Sequence, residues 1–239
     1  MSDPSLNFES MPGVPLPRVA NFVRQITHDV RNGLNAIELQ SAYVGELAEP
    51  GEVRDELGKL RRMITHVTTQ MQELAGRFAE FRPMLMSYPV EEFVEALKAA
   101  AQREFETQAK RIVWEMKLEE KQIEMDYSLL LSALLEVLRN AIFFREGDQT
   151  IHFTAWDEKG NAVFEVRQSR LQPVTGCEQW GRSALVSGRR GGYGLGLLYV
   201  RRILDTLGGA LEPRYDAGAG ELRVRLILPV KPAEQRASK

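Results

Sequence analysis

A heptad repeat between Leu57 and Phe78 constrains this chain more than any other feature. Leu57, Leu60, Ile64, Val67, Met71, Leu74 and Phe78 alternate spacings of three and four, the seam of a helix that packs along another helix. Upstream, Val19, Phe22, Val23, Ile26, Val30, Leu34 and Ile37 follow the i, i+3, i+4, i+7 pattern of an amphipathic helix. Between the two runs, Ala48 to Glu52 contains Pro50 and Gly51, which interrupt helical hydrogen bonding and geometry. The expectation is a helix from about Pro17 to Leu47, with Pro17 in its opening turn, a turn, and a second helix to about Phe81. An antiparallel pair of this kind buries its apolar stripes poorly by itself, and a second copy completes a four-helix bundle. A homodimer is therefore expected, with packing of the hairpin on its own chain as the alternative.

Arg82-Pro83 ends the helical pattern and marks a boundary. Beyond it the periodicity predicts a helix from about Val90 to Gln108, a strand Arg111–Leu118 and a helix from about Tyr127 to Phe144. Strands Thr150–Trp156 and Ala162–Gln168 flank a turn at Asp157 to Asn161. A Gly-containing loop, a helix from about Leu195 to Leu207, the turn Gly208-Gly209 and strands Ala210–Tyr215 and Glu221–Pro229 complete the reading. The fold class is α+β: a helical hairpin, then an α/β sandwich with helices on one face of a mixed sheet. Residues 1–17, with Pro4, Pro12, Pro15 and Pro17, read as a disordered or extended leader. The hairpin takes 18–82, the mixed domain 83–230, and 231–239 form a loose tail.

Composition narrows the function classes. The chain has 239 residues, 44% hydrophobic and 27% charged, with a net charge of −2, a balance that gives no reason to expect nucleic-acid or anionic-membrane binding. Its one cysteine, Cys177, excludes an internal disulfide and a Cys-based zinc cage, fits a reducing cytoplasm and receives no role. Apolar stretches such as Leu129 to Leu138 are broken by Ser132 and Glu136 and fall short of the ~20 residues of a membrane span. No secretory signal is seen at the N-terminus, so a cytoplasmic location without membrane insertion is expected.

His28 stands in the run His28-Asp29-Val30-Arg31-Asn32. At about 100° per residue it falls nearly opposite the apolar stripe of its helix, at about 175°. Its imidazole is therefore open to solvent and to a partner; taken alone, the run reads as readily as a plain surface histidine. With the hairpin around it, the run resembles the dimerisation and phosphoacceptor domain of bacterial two-component sensor histidine kinases. The second domain looks like the catalytic, Bergerat-type ATP-binding domain of that family, and together the two cover nearly the whole chain. The resemblance makes His28 the phosphoacceptor, Asp29 the general base that holds the ring tautomer, and Asn32 a residue that supports dephosphorylation of a partner. Arg24 and Arg31 flank His28 as candidate phosphate-steadying cations, or as an ordinary solvated face. Gly33 replaces the usual proline of the motif and changes helix bending more than chemistry.

Glu136-Val137-Leu138-Arg139-Asn140-Ala141 resembles the family's N-box, in which the asparagine, here Asn140, coordinates the magnesium bridging the phosphates. Glu136, one turn earlier, shares its helix face. Gly192-Tyr193-Gly194-Leu195-Gly196-Leu197 resembles the last glycine box, where backbone amides at a helix start approach phosphate. The intervening Asp-x-Gly-x-Gly pattern, whose aspartate reads adenine, is lost: its places fall at Gln168, Arg170 and Gln172. The basic residue that follows the N-box asparagine is replaced by Phe143 or Phe144, and the lid between Pro173 and Arg190 is short.

The expected function is thus that of a histidine phosphotransfer protein. His28 exchanges a phosphoryl group with the aspartate of response-regulator receiver domains, beside a vestigial nucleotide site at Glu136, Asn140, Gly192, Gly194 and Gly196, and no cofactor is expected. An ATP- and magnesium-dependent autophosphorylating kinase remains open, with Asn140 as the magnesium ligand. So does a non-kinase scaffold or phosphatase acting on a receiver through Asp29 and Asn32. His66 and His152 receive no role.

Overall fold

The two long helical patterns become α1 (Leu16–Leu47) and α2 (Glu52–Phe78). The computed structural model describes residues 16–49, 51–118, 121–182 and 194–230; the tail from 231 and all but the last two residues of the leader lie outside that set. The chain divides into two compact units, one ending at Glu80 and the other beginning at Phe81. No helix among the described residues is long and apolar enough to cross a membrane.

In the first unit α2 stops before the expected Phe81, because Ala79 turns into extended backbone (φ −62°, ψ 152°) ahead of Arg82-Pro83. The expected stripe of α1 is covered only in part, at Val19, Val23 and Leu34. Its least exposed positions run Val23, Thr27, Arg31, Leu34, Glu38 and Ser41, while Phe22, Ile26, Val30 and Ile37 are exposed. On α2 the seam positions Leu57, Ile64, Met71, Leu74 and Phe78 are covered, and Leu60 and Val67 face solvent. One helix shadows only a narrow strip of its neighbour, so two wide apolar stripes cannot both be covered within one hairpin. The helices run close at their connected ends, where a Cβ on Gly45 would stand 3.8 Å from Leu57 Cδ1.

The second unit contains β1 (Met86–Pro89), α3 (Val90–Phe105), β2 (Ile112–Lys117), β3 (Gln122–Met125), α4 (Tyr127–Phe143), β4 (Ile151–Glu158), β5 (Asn161–Ser169), α5 (Gly196–Thr206), β6 (Ala210–Asp216) and β7 (Glu221–Pro229). Short 3-10 turns cover Glu106–Arg111 and Cys177–Gln179. The main sheet has the order β2-β4-β5-β7-β6, with β2 parallel to β4 and every other pairing antiparallel. The antiparallel pair β1-β3 is an addition to the sequence-based reading. At four residues each, these strands are too short for a period to show, and each is defined by its partner 36 residues or so away in register, Tyr88 opposite Ile123.

Alternate residues of β4 and β5 face a single helical layer. Phe153 and Phe164 are fully buried with Phe93 of α3, Leu134 of α4 and Ile203 of α5 in one core. Phe93 meets Phe164 and Tyr127 edge-on, at 6.0 and 5.6 Å between ring centroids. The β4-β5 turn tightens to Lys159 and Gly160, both left-handed (φ 55° and 79°), the backbone a two-residue hairpin needs. Asp126 caps α4 by accepting from Leu129 N at 3.0 Å and also accepts from Met84 N at 2.8 Å, tying the segment before β1 to the start of α4.

Candidate functional site

On α1 the His28 side chain is 66% exposed and that of Asp29 61%. Asp29 Oδ1 lies 3.2 Å from His28 Nδ1, and Asn32 Nδ2 approaches the same nitrogen at 3.3 Å. A ring nitrogen cannot donate to one and accept from the other at once. The hydrogen bond to His28, and then one from Gln25, hold the Asp29 carboxyl below its ordinary range. Asp29 is therefore ionised near neutrality and acceptor-only. In the contact with Asp29, Nδ1 is then the donor, and Nε2 lies on the other side of the ring. Nε2 has no hydrogen-bond partner among the described residues.

The sequence-based candidates around His28 separate in the structure. Asn32 is exposed within reach of the ring, and Arg24 is exposed. Arg31 departs from the expectation: it is half-buried on the covered line of α1, with Nε shut away from solvent and unpartnered among the described residues. Gln25 was missed, although its spacing of four from Asp29 is the local signal for such a pair. His66 is exposed, and His152 is half-buried with Nε2 3.2 Å from Thr150 Oγ1.

In the second unit the N-box and glycine-box residues converge. A Cβ on Gly196 would collide with Glu136 Oε1 and lie 3.4 Å from Asn140 Nδ2, so the first turn of α5 rests directly on these two side chains of α4. Gly194 is left-handed, with φ 62°. Gly192 lies outside the described residues. Glu136 is buried and forms an ion pair with Arg139, whose Nε and Nη2 are held by Glu104 at 2.9 and 2.5 Å.

The resemblance implies a magnesium nucleotide against this face of α4. The Glu136 carboxylate beside Asn140 is paired with the Arg139 guanidinium, which Glu104 shares. At the end of β5, Gln168 is buried on the helix-facing side with Oε1 unpartnered. Two residues on, Arg170 Nη1 donates to Phe144 O at 2.5 Å, its Nη2 lies 3.3 Å from Glu146 Oε1, and Leu171 N donates to Glu146 Oε2 at 2.6 Å. An arginine thus straps the end of β5 to the C-terminus of α4 where the family pattern has a glycine. Sequence spacing carried no sign of this strap. Gln172 is exposed, as are Phe143 and Phe144, whose rings meet edge-on at 5.0 Å.

No family model matches the chain. The sensor protein KdpD of Clostridium acetobutylicum is 24% identical over 225 residues, covering 88% of this chain and 24% of that protein. Full-length ShkA, solved in complex with AMPPNP, superposes with a TM-score of 0.70 at 19% identity, over 90% of this chain and 46% of ShkA. Histidine kinase ThkA, solved with the response regulator TrrA, gives 0.56 at 16% identity, over 92% of this chain and 62% of ThkA. The chain thus spans about a quarter of the KdpD protein and about half of ShkA. What it shares with these structures is a fold: an α+β chain with a helical hairpin and a mixed-sheet domain like that of histidine kinase ATPase domains.

Proposed function

We propose that this chain, which carries the two-component histidine kinase fold, acts as a cytoplasmic histidine phosphotransfer protein. His28 Nε2 attacks the phosphorus of a receiver's aspartyl phosphate. The Nε2–P bond forms, the P–O bond to the aspartate breaks, and its electron pair leaves with the receiver's carboxylate. Asp29 stabilises the positive ring by accepting from Nδ1–H. The reverse sequence passes the group to a second receiver. The exposed His28–Asp29 pair, with Nε2 unpartnered, carries this reading. A response regulator seated on ThkA, a protein of the same fold, supports receivers as partners. The apolar faces of Phe22, Ile26, Val30 and Ile37 support a homodimer.

Radiolabelled receiver domains, loaded from acetyl phosphate, test it. Acid-labile label should pass to the wild-type chain and not to His28→Ala. Label retained by His28→Ala, or no transfer from any of a broad panel, overturns the reading.

The contact of Gly196 with Glu136 and Asn140 favours a second reading, an ATP-dependent kinase, because it preserves the approach of a helix start to the N-box face. Incubation with γ-labelled ATP and magnesium decides between the two: the Arg170 strap and the Arg139–Glu136 pair lead us to expect no nucleotide binding. His28-dependent label from ATP would establish the kinase instead.

A further inference from the structure

We propose that Gln25 is a positioning residue for His28, bracing Asp29 so that the ring keeps its proton on Nδ1 and presents Nε2 as the nucleophile. The role rests on the phosphotransfer reading above. Neighbouring residues of a helix point about 100° apart and do not face each other. Asp29 can reach His28 Nδ1 only by leaning across the helix surface, and a free carboxylate in solvent has other rotamers to adopt. Gln25, one turn earlier, is correctly spaced to prevent this. Its Nε2 lies 3.1 Å from Asp29 Oδ1 and 3.2 Å from Oδ2, so a single amide group straddles both oxygens.

Asn32 makes the brace necessary. Its Nδ2 stands 3.3 Å from His28 Nδ1, and a donor there would leave Nδ1 bare and place the ring proton on Nε2, where the phosphorus must bond. Asp29 at 3.2 Å favours the opposite tautomer. Gln25 decides the competition by holding Asp29 in place as an acceptor, and leaves Asn32 to turn its amide oxygen inward or swing to solvent. The chain Gln25, Asp29, His28 therefore transmits orientation along one exposed helix face without Gln25 touching the reacting atoms.

The test uses the full chain with Gln25→Ala and Gln25→Glu. Alanine is the better helix former at this exposed position, so the thermal midpoint should not fall. Long-range proton–nitrogen NMR of the neutral His28 ring should show Nδ1–H dominant in the wild type and a gain of Nε2–H in Gln25→Ala. Transfer from labelled receivers should slow by about 1.5- to 2-fold in Gln25→Ala, the scale of one exposed helix-surface hydrogen bond. In Gln25→Glu it should slow further, because two like charges then face each other. An unchanged tautomer ratio in Gln25→Ala overturns the role of Gln25, whatever the transfer assay gives. Absence of transfer to the wild type, with a tautomer ratio that still shifts, overturns the phosphotransfer reading and leaves the brace standing.

Discussion

Gly196 shows how a single residue ties two motifs together. Any side chain there meets Glu136 Oε1, and Glu136 cannot simply swing aside, because it is buried and paired with Arg139. Gly196→Ala should cost about 1–3 kcal/mol, the usual penalty of overpacking, read as a lower denaturant midpoint at unchanged slope. In a Glu136→Ala background the same substitution should cost distinctly less, since the clash is gone; equal costs in both backgrounds would mean that the glycine serves something other than this contact. His28, Asp29 and Asn32 belong to the same scale. Their mutual spacing follows from helix geometry alone, which is why the group is legible in the sequence. Gln25 obeys the same rule.

Among the elements, α4 carries the candidate nucleotide-side residues and depends on its cap. Burial pushes the Asp126 carboxyl upward, but hydrogen bonds from Met84 N, Leu129 N and Ser128 outweigh it and leave the group below its ordinary range. A carboxyl lowered on folding adds stability that is present above its unfolded value, about 3.9, and is lost as the pH falls through the lower folded value. Asp126→Ala should therefore lower stability by about 1–2 kcal/mol at neutral pH. The gap to wild type should close as the pH drops below about 4 in paired urea titrations. A gap constant down to acid pH would show that the charge is not what the helix uses. The strap from Arg170 to Phe144 O and Glu146 acts on the other end of α4. Arg170→Ala should loosen this end, seen as faster amide exchange at Phe144 and Arg145 with little change at Leu129 and Leu130.

For the whole molecule, the consequence lies in what the hairpin leaves uncovered. Phe22 is 64% exposed, Ile37 49% and Met63 65%, large apolar side chains that a lone hairpin would present to water at a cost of roughly 1.5–3 kcal/mol for each one left unburied. The proposed dimer predicts that Ile26→Glu combined with Ile37→Glu converts the chain to a monomer in sedimentation velocity, while His28→Ala leaves the mass unchanged. A wild-type chain that sediments as a monomer at micromolar concentration would remove the dimer from the account. The hairpin and the order of the longer helices and strands in the second unit were legible in the sequence, because each rests on contacts three or four residues apart or on a strict alternation. Packing alone fixed which side of α1 is covered, the pairing of β1 with β3, the hold of Glu104 on Arg139, and the Arg170 strap. Those features join groups far apart in the chain, and their partners are chosen by packing, which leaves no period in the sequence to read.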